Sequence, residues 1–421
     1  MFDQLRIVDE LLKRRQIKRA EMLINRQMRR KNGGQHALWL IQRARTRLMT
    51  GRPAAALDDL LRAQILQPEL FTHVINLQIL ADSYFARFES STVGFVERGD
   101  AQIAENLYQQ MIEKFPNHEN IGWAYYQRGR LFLASDRVQD AVTAFKIAAE
   151  KPSVSTPSLT AYCYERLAFV YFYEDRQFTQ ALTAINKAIV EYPASEDPAW
   201  LVQAHLFKSR ILRGAGEISA ALDSARIALT AAERTANSSQ SPLPEALFAF
   251  GEILSLIDGQ EKAAVQTLER FLEISRRPVG IDVTWARVHE LLGDLYFKVG
   301  NFEASVVAYS SVLQLNPHYP WEVEIYQRIA RAYYRLGQYE KVLEILDYSR
   351  NIASNDDHDI DYPFYNLYGA ACLALKRFDQ AAANFEKALE LASSHSLIAE
   401  KMRQYRDMAI NRQPINTIDI R

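Results

Sequence analysis

A chain of 421 residues with 48% hydrophobic side chains, 16 glycines and 14 prolines has enough apolar material for a folded body, which excludes wholesale disorder. A net charge of −1 excludes a strong field over the whole molecule, and two cysteines, Cys163 and Cys372, exclude a disulfide framework. No run approaches the roughly 20 apolar residues of a membrane-spanning helix, and Met1 leads straight into a charged helix over 2–15 instead of a signal peptide.

The first predicted helix pair keeps Leu5, Val8, Leu11 and Leu12, then Ala20 and Ile24, for packing, so its basic residues form an exposed face. Residues 1–62 hold 15 Lys or Arg, among them Lys13, Arg14, Arg15, Lys18, Arg19, Arg29, Arg30 and Lys31, against 6 Asp or Glu. The remainder is correspondingly acidic, and the molecule is polarised along its length. A second pair shows Ala44, Ala56, Leu60, Ala63 and Pro68. In the third, Leu80, Ala81 and Tyr84 are separated from Gly99, Asp100, Ala104, Tyr108 and Pro116 by extra residues near 89–98, predicted as a polar surface loop. The same spacing continues as Arg128, Gly129, Phe132, Ala141, Phe145 and Ala148, then Leu167, Ala168, Tyr171, Ala181, Ile185, Ala188 and Pro193. Gly216, Ala221, Ala225 and Ala228 follow, then Phe250, Gly251, Leu254, Ala264, Leu268 and Phe271 with one residue inserted.

From residue 286 the pattern is nearly complete: Leu292, Gly293, Tyr296, Gly300, Asn301, Phe302, Tyr309 and Pro317. Two further units carry Tyr326, Ile329, Ala330, Tyr333, Gly337, Tyr339 and Leu346, and then Tyr365, Tyr368, Gly369, Phe378, Ala381, Phe385 and Ala388. A last helix over 397–411, with Lys401, Arg403, Arg406 and Asp407, is a solvated cap, and 412–421 is a flexible tail.

Leu-Gly-x-x-Tyr followed by Gly-Asn-Phe, an aromatic and a closing proline resembles the tetratricopeptide repeat (TPR), a helix hairpin of about 34 residues. The resemblance implies an all-α fold: a right-handed superhelical α-solenoid of about ten hairpins plus the capping helix. It covers nearly the whole chain as one continuous body over 1–411, more divergent over 1–120 and well matched over 121–395. Units after Gly122 begin roughly 37 to 42 residues apart, longer than the family norm. The extra residues fall in connections at 151–158, 237–244, 278–282 and 354–363. Long connections are similar to those of bacterial TPR scaffold and adaptor proteins.

The chain shows no catalytic constellation. Its eight histidines are scattered, and no Cys-x-x-Cys or His-x-x-x-His pair exists for a metal. His289 falls at a packing position of a first helix. Gly214-Ala215-Gly216 is a hairpin turn without the lysine of a phosphate loop. Asp356, Asp357, Asp359 and Asp361 lack the glycine and closing glutamate of a calcium loop and read as a solvated loop. Asn237-Ser238-Ser239 is a polar loop, and both cysteines fall in first helices as small apolar side chains. No enzyme, cofactor or metal is expected.

The family lines its inner groove with the first helix of each hairpin, at the second, fifth, sixth, ninth, twelfth and thirteenth positions. Carried onto this chain, the groove residues include Arg45, Tyr126, Gln127, Arg130, Arg166, Gln203, Arg210, Arg213, Arg287, Gln327, Arg328, Arg331, Tyr334 and Arg335, beside Gln42, Tyr162, Phe172 and Tyr173. Arginine forks pair carboxylates at two points, and glutamine holds peptide backbone. Aromatic faces add apolar and cation–π contact. The expected activity is a non-enzymatic cytoplasmic scaffold or adaptor holding an extended, acidic partner peptide or protein. The lysine–asparagine clamp of chaperone-binding TPR proteins is absent from the corresponding positions. Two other classes are nucleic-acid binding, disfavoured by a pI near 6.7, and docking of the basic N-terminal helices on a membrane or in a homo-oligomer.

Overall fold

The structure is a computed structural model and describes the chain except for residues 1, 30–35, 91–95, 152, 155, 235–240, 277, 279, 356–359, 393–396 and 414–421. The sequon at Asn237, the acidic residues Asp356, Asp357 and Asp359, the basic pair Arg30 and Lys31 and most of the tail therefore lie outside the described residues.

The described residues form α-helices joined by short turns, with no strand among them. The chain divides into two compact units, Met1–Ile211 and Leu212–Arg421. The first contains α1 (Phe2–Lys13), α2 (Ile17–Met28), α3 (His36–Met49), α4 (Pro53–Leu66), α5 (Val74–Ser90), α6 (Val96–Lys114), α7 (Ile121–Ala134), α8 (Val138–Glu150), α9 (Leu159–Tyr173), α10 (Phe178–Glu191) and most of α11 (Ala199–Gly214). The second continues with α12 (Ile218–Arg234), α13 (Leu243–Leu254), α14 (Glu261–Ile274), α15 (Val283–Lys298), α16 (Phe302–Leu315), α17 (Glu322–Arg335), α18 (Tyr339–Asn355), α19 (Tyr362–Ala374), α20 (Phe378–Leu391) and α21 (Leu397–Ile410). In chain order the odd-numbered helices are first (A) helices and the even-numbered ones second (B) helices, an α-solenoid arrangement of helix pairs closed by α21.

The small residue in each A helix exists for close approach. A Cβ built at Gly293 would lie 2.5 Å from the ring of Tyr309 on the B helix of the same hairpin, a distance no real side chain tolerates. The turn that follows needs a left-handed residue, and Gly300 takes it at φ +83°. Asn301 then caps α16, its side chain accepting from the Ala304 amide at 3.2 Å. Asp282 and Asp361 cap α15 and α19 in the same way. Such hairpins thus close on their own local chemistry, while the buried faces of B helices such as α4, α8, α12 and α16 are shared with the next A helix.

Within each unit the A helices of successive hairpins touch, as in α1 with α3, α3 with α5, α7 with α9 and α17 with α19. No two successive B helices pack as closely among the described residues. The A helices therefore line the tighter, inner side of each unit. The helix α21 buries Ala399, Met402 and Ala409 and sets Tyr405 against Phe385, which gives it the capping position expected of it.

The extra residues near 89–98 lie only partly among the described ones: α5 runs on to Ser90 and α6 begins at Val96, while 91–95 lie outside. The added length is useful to the fold, since Glu89 on the extension pairs with Arg130 on α7.

Candidate functional site

The inner wall of the first unit is built outward from buried polar groups. Asp82 on α5 accepts from the Tyr108 hydroxyl at 2.5 Å and from Trp123 Nε1 at 3.0 Å. Burial pushes its carboxyl up, against the hydrogen bonds of Tyr108, Trp123, Gln127 and Gln78. These bonds tie α5, α6 and α7 together. Arg130, one turn along α7 from Tyr126, lies 4.7 Å from the Phe85 ring centroid, donates to Gln127 at 2.9 Å and pairs with Glu89. On α9, Arg166 Nε lies 3.1 Å from a Glu165 carboxylate oxygen but has no hydrogen-bond acceptor. Burial pushes the Glu165 carboxyl up even with Arg166 and Arg130 nearby.

Beyond these pairs the wall opens. Phe169, Phe172 and Tyr173 end α9 as a tilted cluster with ring centroids 4.7 Å apart. Phe207 of α11 lies parallel to Tyr173, at 5° and 6.2 Å. Arg210, one turn on, donates to the Tyr173 hydroxyl at 3.0 Å. Tyr173 is 44% exposed, and Gln203 and Arg210 are exposed beside it. Arg210 uses one of its five N–H donors in this contact, so the others remain for a ligand.

The inner wall of the second unit is closed by its own charges. Arg213 pairs with Glu252, whose other oxygen lies 4.0 Å from Arg287 Nε. Arg287 and Arg328 both bind Glu290, at 2.6 and 2.9 Å, and Tyr319 donates to it at 2.7 Å. Arg328 also approaches Asp294 at 3.4 Å, and Asp294 accepts from Tyr309 at 2.6 Å. Burial alone would raise the Glu290 carboxyl, but Tyr319, Arg287 and Arg328 outweigh it and hold it below the usual range. The result is an alternating ladder across α13, α15 and α17.

The expected groove residues therefore divide into three groups. Tyr126, Gln127, Gln327 and Tyr334 are buried. They build the wall and offer no contact surface, because aromatic rings and amides at the fifth, sixth and twelfth positions turn toward the adjoining hairpin. Arg45, Arg130, Arg166, Arg213, Arg287 and Arg328 face carboxylates of the chain itself. Gln203, Arg210, Arg331 and Arg335 are exposed, with Arg335 lying 5.0 Å from the Phe302 ring centroid. The arginines, glutamines and aromatics expected in the groove leave out Asp82, Glu165, Glu252, Glu290 and Asp294, as well as Phe169 and Phe207. All seven stand at those same groove positions, so the signal was present.

Cys163 and Cys372 are fully buried, and burial pushes their thiols up to about 12 and about 11. His289 is half-buried, with its ring 6.2 Å from Trp285. Among the described residues no group of three or more His, Cys, Asp or Glu could hold a metal ion, and no helix is long and apolar enough to cross a membrane.

The tetratricopeptide repeat family model matches residues 286–319 and 362–395, which are the hairpins α15–α16 and α19–α20. These two hairpins are tetratricopeptide repeats. Such repeats serve protein–protein interaction, and the fold is typically a non-enzymatic scaffold. Among solved structures, the apo form of the quorum sensor NprR from B. thuringiensis aligns with 75% of this chain and 86% of its own, at 15% identity and a TM-score of 0.52. That is a likeness of fold. A tetratricopeptide repeat protein from Parabacteroides merdae aligns with 72% of this chain and 99% of its own at 16% identity and a TM-score of 0.41. In sequence, the Protein CTR9 homolog of Arabidopsis thaliana is 24% identical over 295 residues, 70% of this chain. The chain spans about a quarter of that relative's length, 25%.

Proposed function

We propose that this protein is a non-enzymatic adaptor that holds an extended segment of a partner protein across α7, α9 and α11 of its first unit. The observation that carries this reading is the open cluster of Tyr173, Phe207 and Arg210, on an inner wall whose other charges are mostly matched internally.

The energetics rank the contacts. A partner carboxylate that displaces Glu89 from Arg130, or Glu165 from Arg166, exchanges one ion pair for another, with a net gain of under about 1 kcal/mol. Covering the exposed ring of Tyr173 and the open edge of half-buried Phe207 gives on the order of 2 kcal/mol, at roughly 25 cal/mol per Å². Affinity therefore comes first from an apolar side chain on the aromatic cluster, and acidic groups set register. The spacing follows from the helices. Packed helix axes lie about 8–10 Å apart and an extended chain rises about 3.3 Å per residue, so each A helix meets roughly every third peptide residue. Arg130, Arg166 and Arg210 supply one cation per helix, which fits a segment with acids about three residues apart around a leucine-sized or aromatic anchor.

Selection from a random peptide phage library against the full chain tests this. Enriched sequences should combine an apolar anchor with acidic residues at that spacing, and Phe207→Ser or Arg210→Glu should weaken their binding about tenfold or more. Failure of any sequence to enrich, or equal binding to both variants, would overturn the reading.

A further inference from the structure

The α1–α2 hairpin carries a charge imbalance that internal pairing sharpens. Its carboxylates with described side chains are all engaged: Asp9 by Arg45, Glu10 by Lys13 at 3.5 Å, and Glu21 by Arg52. Arg14, Arg15, Lys18, Arg19, Arg26 and Arg29 are exposed and form no ion pair among the described residues. Arg19 only donates to Gln16, at 3.0 Å. The net effect, among the described side chains, is a cationic face with no free carboxylate to offset it.

That face is not purely polar. Met22 is 65% exposed at the centre of the outer stripe of α2, with Lys18 and Arg19 one turn before it and Arg26 one turn after. On α1, Ile7 is 49% exposed beside Arg6. The opposite stripe of α2, Ala20, Ile24 and Gln27, is buried, and Ala20 and Ile24 pack in a cluster with Val8, Leu12 and Trp39. Both hydrophobic needs of the fold are thus met on the inner side, and the outer apolar tips serve no packing.

Long apolar side chains set among unpaired cations match the chemistry of an anionic lipid surface. The cations meet headgroup charge within a Debye length, and the tips enter the acyl boundary. A nucleic acid would use the cations but gains from aromatic stacking, and the described side chains of α1 and α2 include no aromatic. An acidic protein surface would complement the charge while leaving the two apolar tips unmatched. We propose that the α1–α2 hairpin is a peripheral docking face for membranes rich in anionic phospholipid. It is separate from the α7–α11 wall and stands whether or not that wall binds peptide.

The test is co-sedimentation of the full chain with vesicles of phosphatidylcholine alone and with vesicles containing phosphatidylserine. Binding should require phosphatidylserine and weaken as salt rises. Each cation near the surface contributes about a fivefold gain, so Arg19→Glu/Arg26→Glu should lose more than about twentyfold. Both residues are exposed and free of ion pairs, so the fold should be unaffected. Met22→Ser should lose a few-fold while leaving the salt dependence intact, a readout that charge alone does not give. Absence of binding to anionic vesicles at low salt would overturn the proposal. So would preferential binding to duplex RNA that Met22→Ser leaves unchanged, which would make the face a nucleic-acid surface instead.

Discussion

At Gly293 the repeat pattern reduces to a single missing carbon. The Tyr309 ring that fills the space cannot retreat, because its hydroxyl is held by Asp294 at 2.6 Å. Gly293→Ala gains up to about 1 kcal/mol of helix propensity but overpacks the hairpin by about 1–3 kcal/mol. The expected net result is a loss of about 1–2 kcal/mol, measured by denaturant unfolding. At Gly369 the same contact is 3.1 Å from Phe385, and Phe385 is a ring without a hydroxyl tether. Gly369→Ala should therefore change stability much less. These small positions were legible in the sequence because both partners lie in one hairpin, at fixed spacing. The contacts of Glu290 with Arg328 and the Tyr319 hydroxyl were not, because they join α15 to a later A helix and to the turn after α16, whose facing is set only by packing.

At the scale of elements, the ladder across α13, α15 and α17 is the second unit's main polar joint. Glu290 is buried and receives three donors, but Arg287 and Arg328 are part-exposed and Arg328 keeps Asp294, so Glu290→Ala should cost about 1–3 kcal/mol, largely from the lost hydrogen bonds. The pH dependence follows from the sign of its shift. Its folded-state carboxyl lies below the usual range, so the joint is at full strength above the ordinary glutamate pKa of about 4.3 and weakens as pH falls through that range and below. Hydrogen exchange, corrected for intrinsic rates, should show α15 and α17 losing protection on acidification. Asp82 has the opposite sign, since its raised carboxyl costs stability at neutral pH that protonation relieves. The α5–α7 segment should therefore keep its protection to lower pH, and equal loss in both would contradict this assignment. Helix boundaries and hairpin order were readable from the periodicity of small and apolar residues. The ends of α5 and α6 at the insertion were not, because a polar segment gives no apolar periodicity to place a helix boundary.

The whole molecule separates its roles by charge bookkeeping. Many of its arginines on the inner wall are spoken for by its own carboxylates, and the residues left open include the small aromatic cluster with Arg210, Arg331 and Arg335 on α17, and the basic face of α1–α2. Sequence reasoning located the wall, since helix phase sets which positions face inward, but it could not tell paired cations from available ones. The central claim is that the Tyr173–Phe207–Arg210 cluster is the partner-binding surface. Hydroxyl-radical footprinting of the full chain with and without a selected peptide tests it most directly. Oxidation of Tyr173 and Phe207 should fall several-fold on binding, while that of Met22 and of Tyr348 on α18 stays constant. Unchanged oxidation of Tyr173 and Phe207 in the saturated complex would contradict the account.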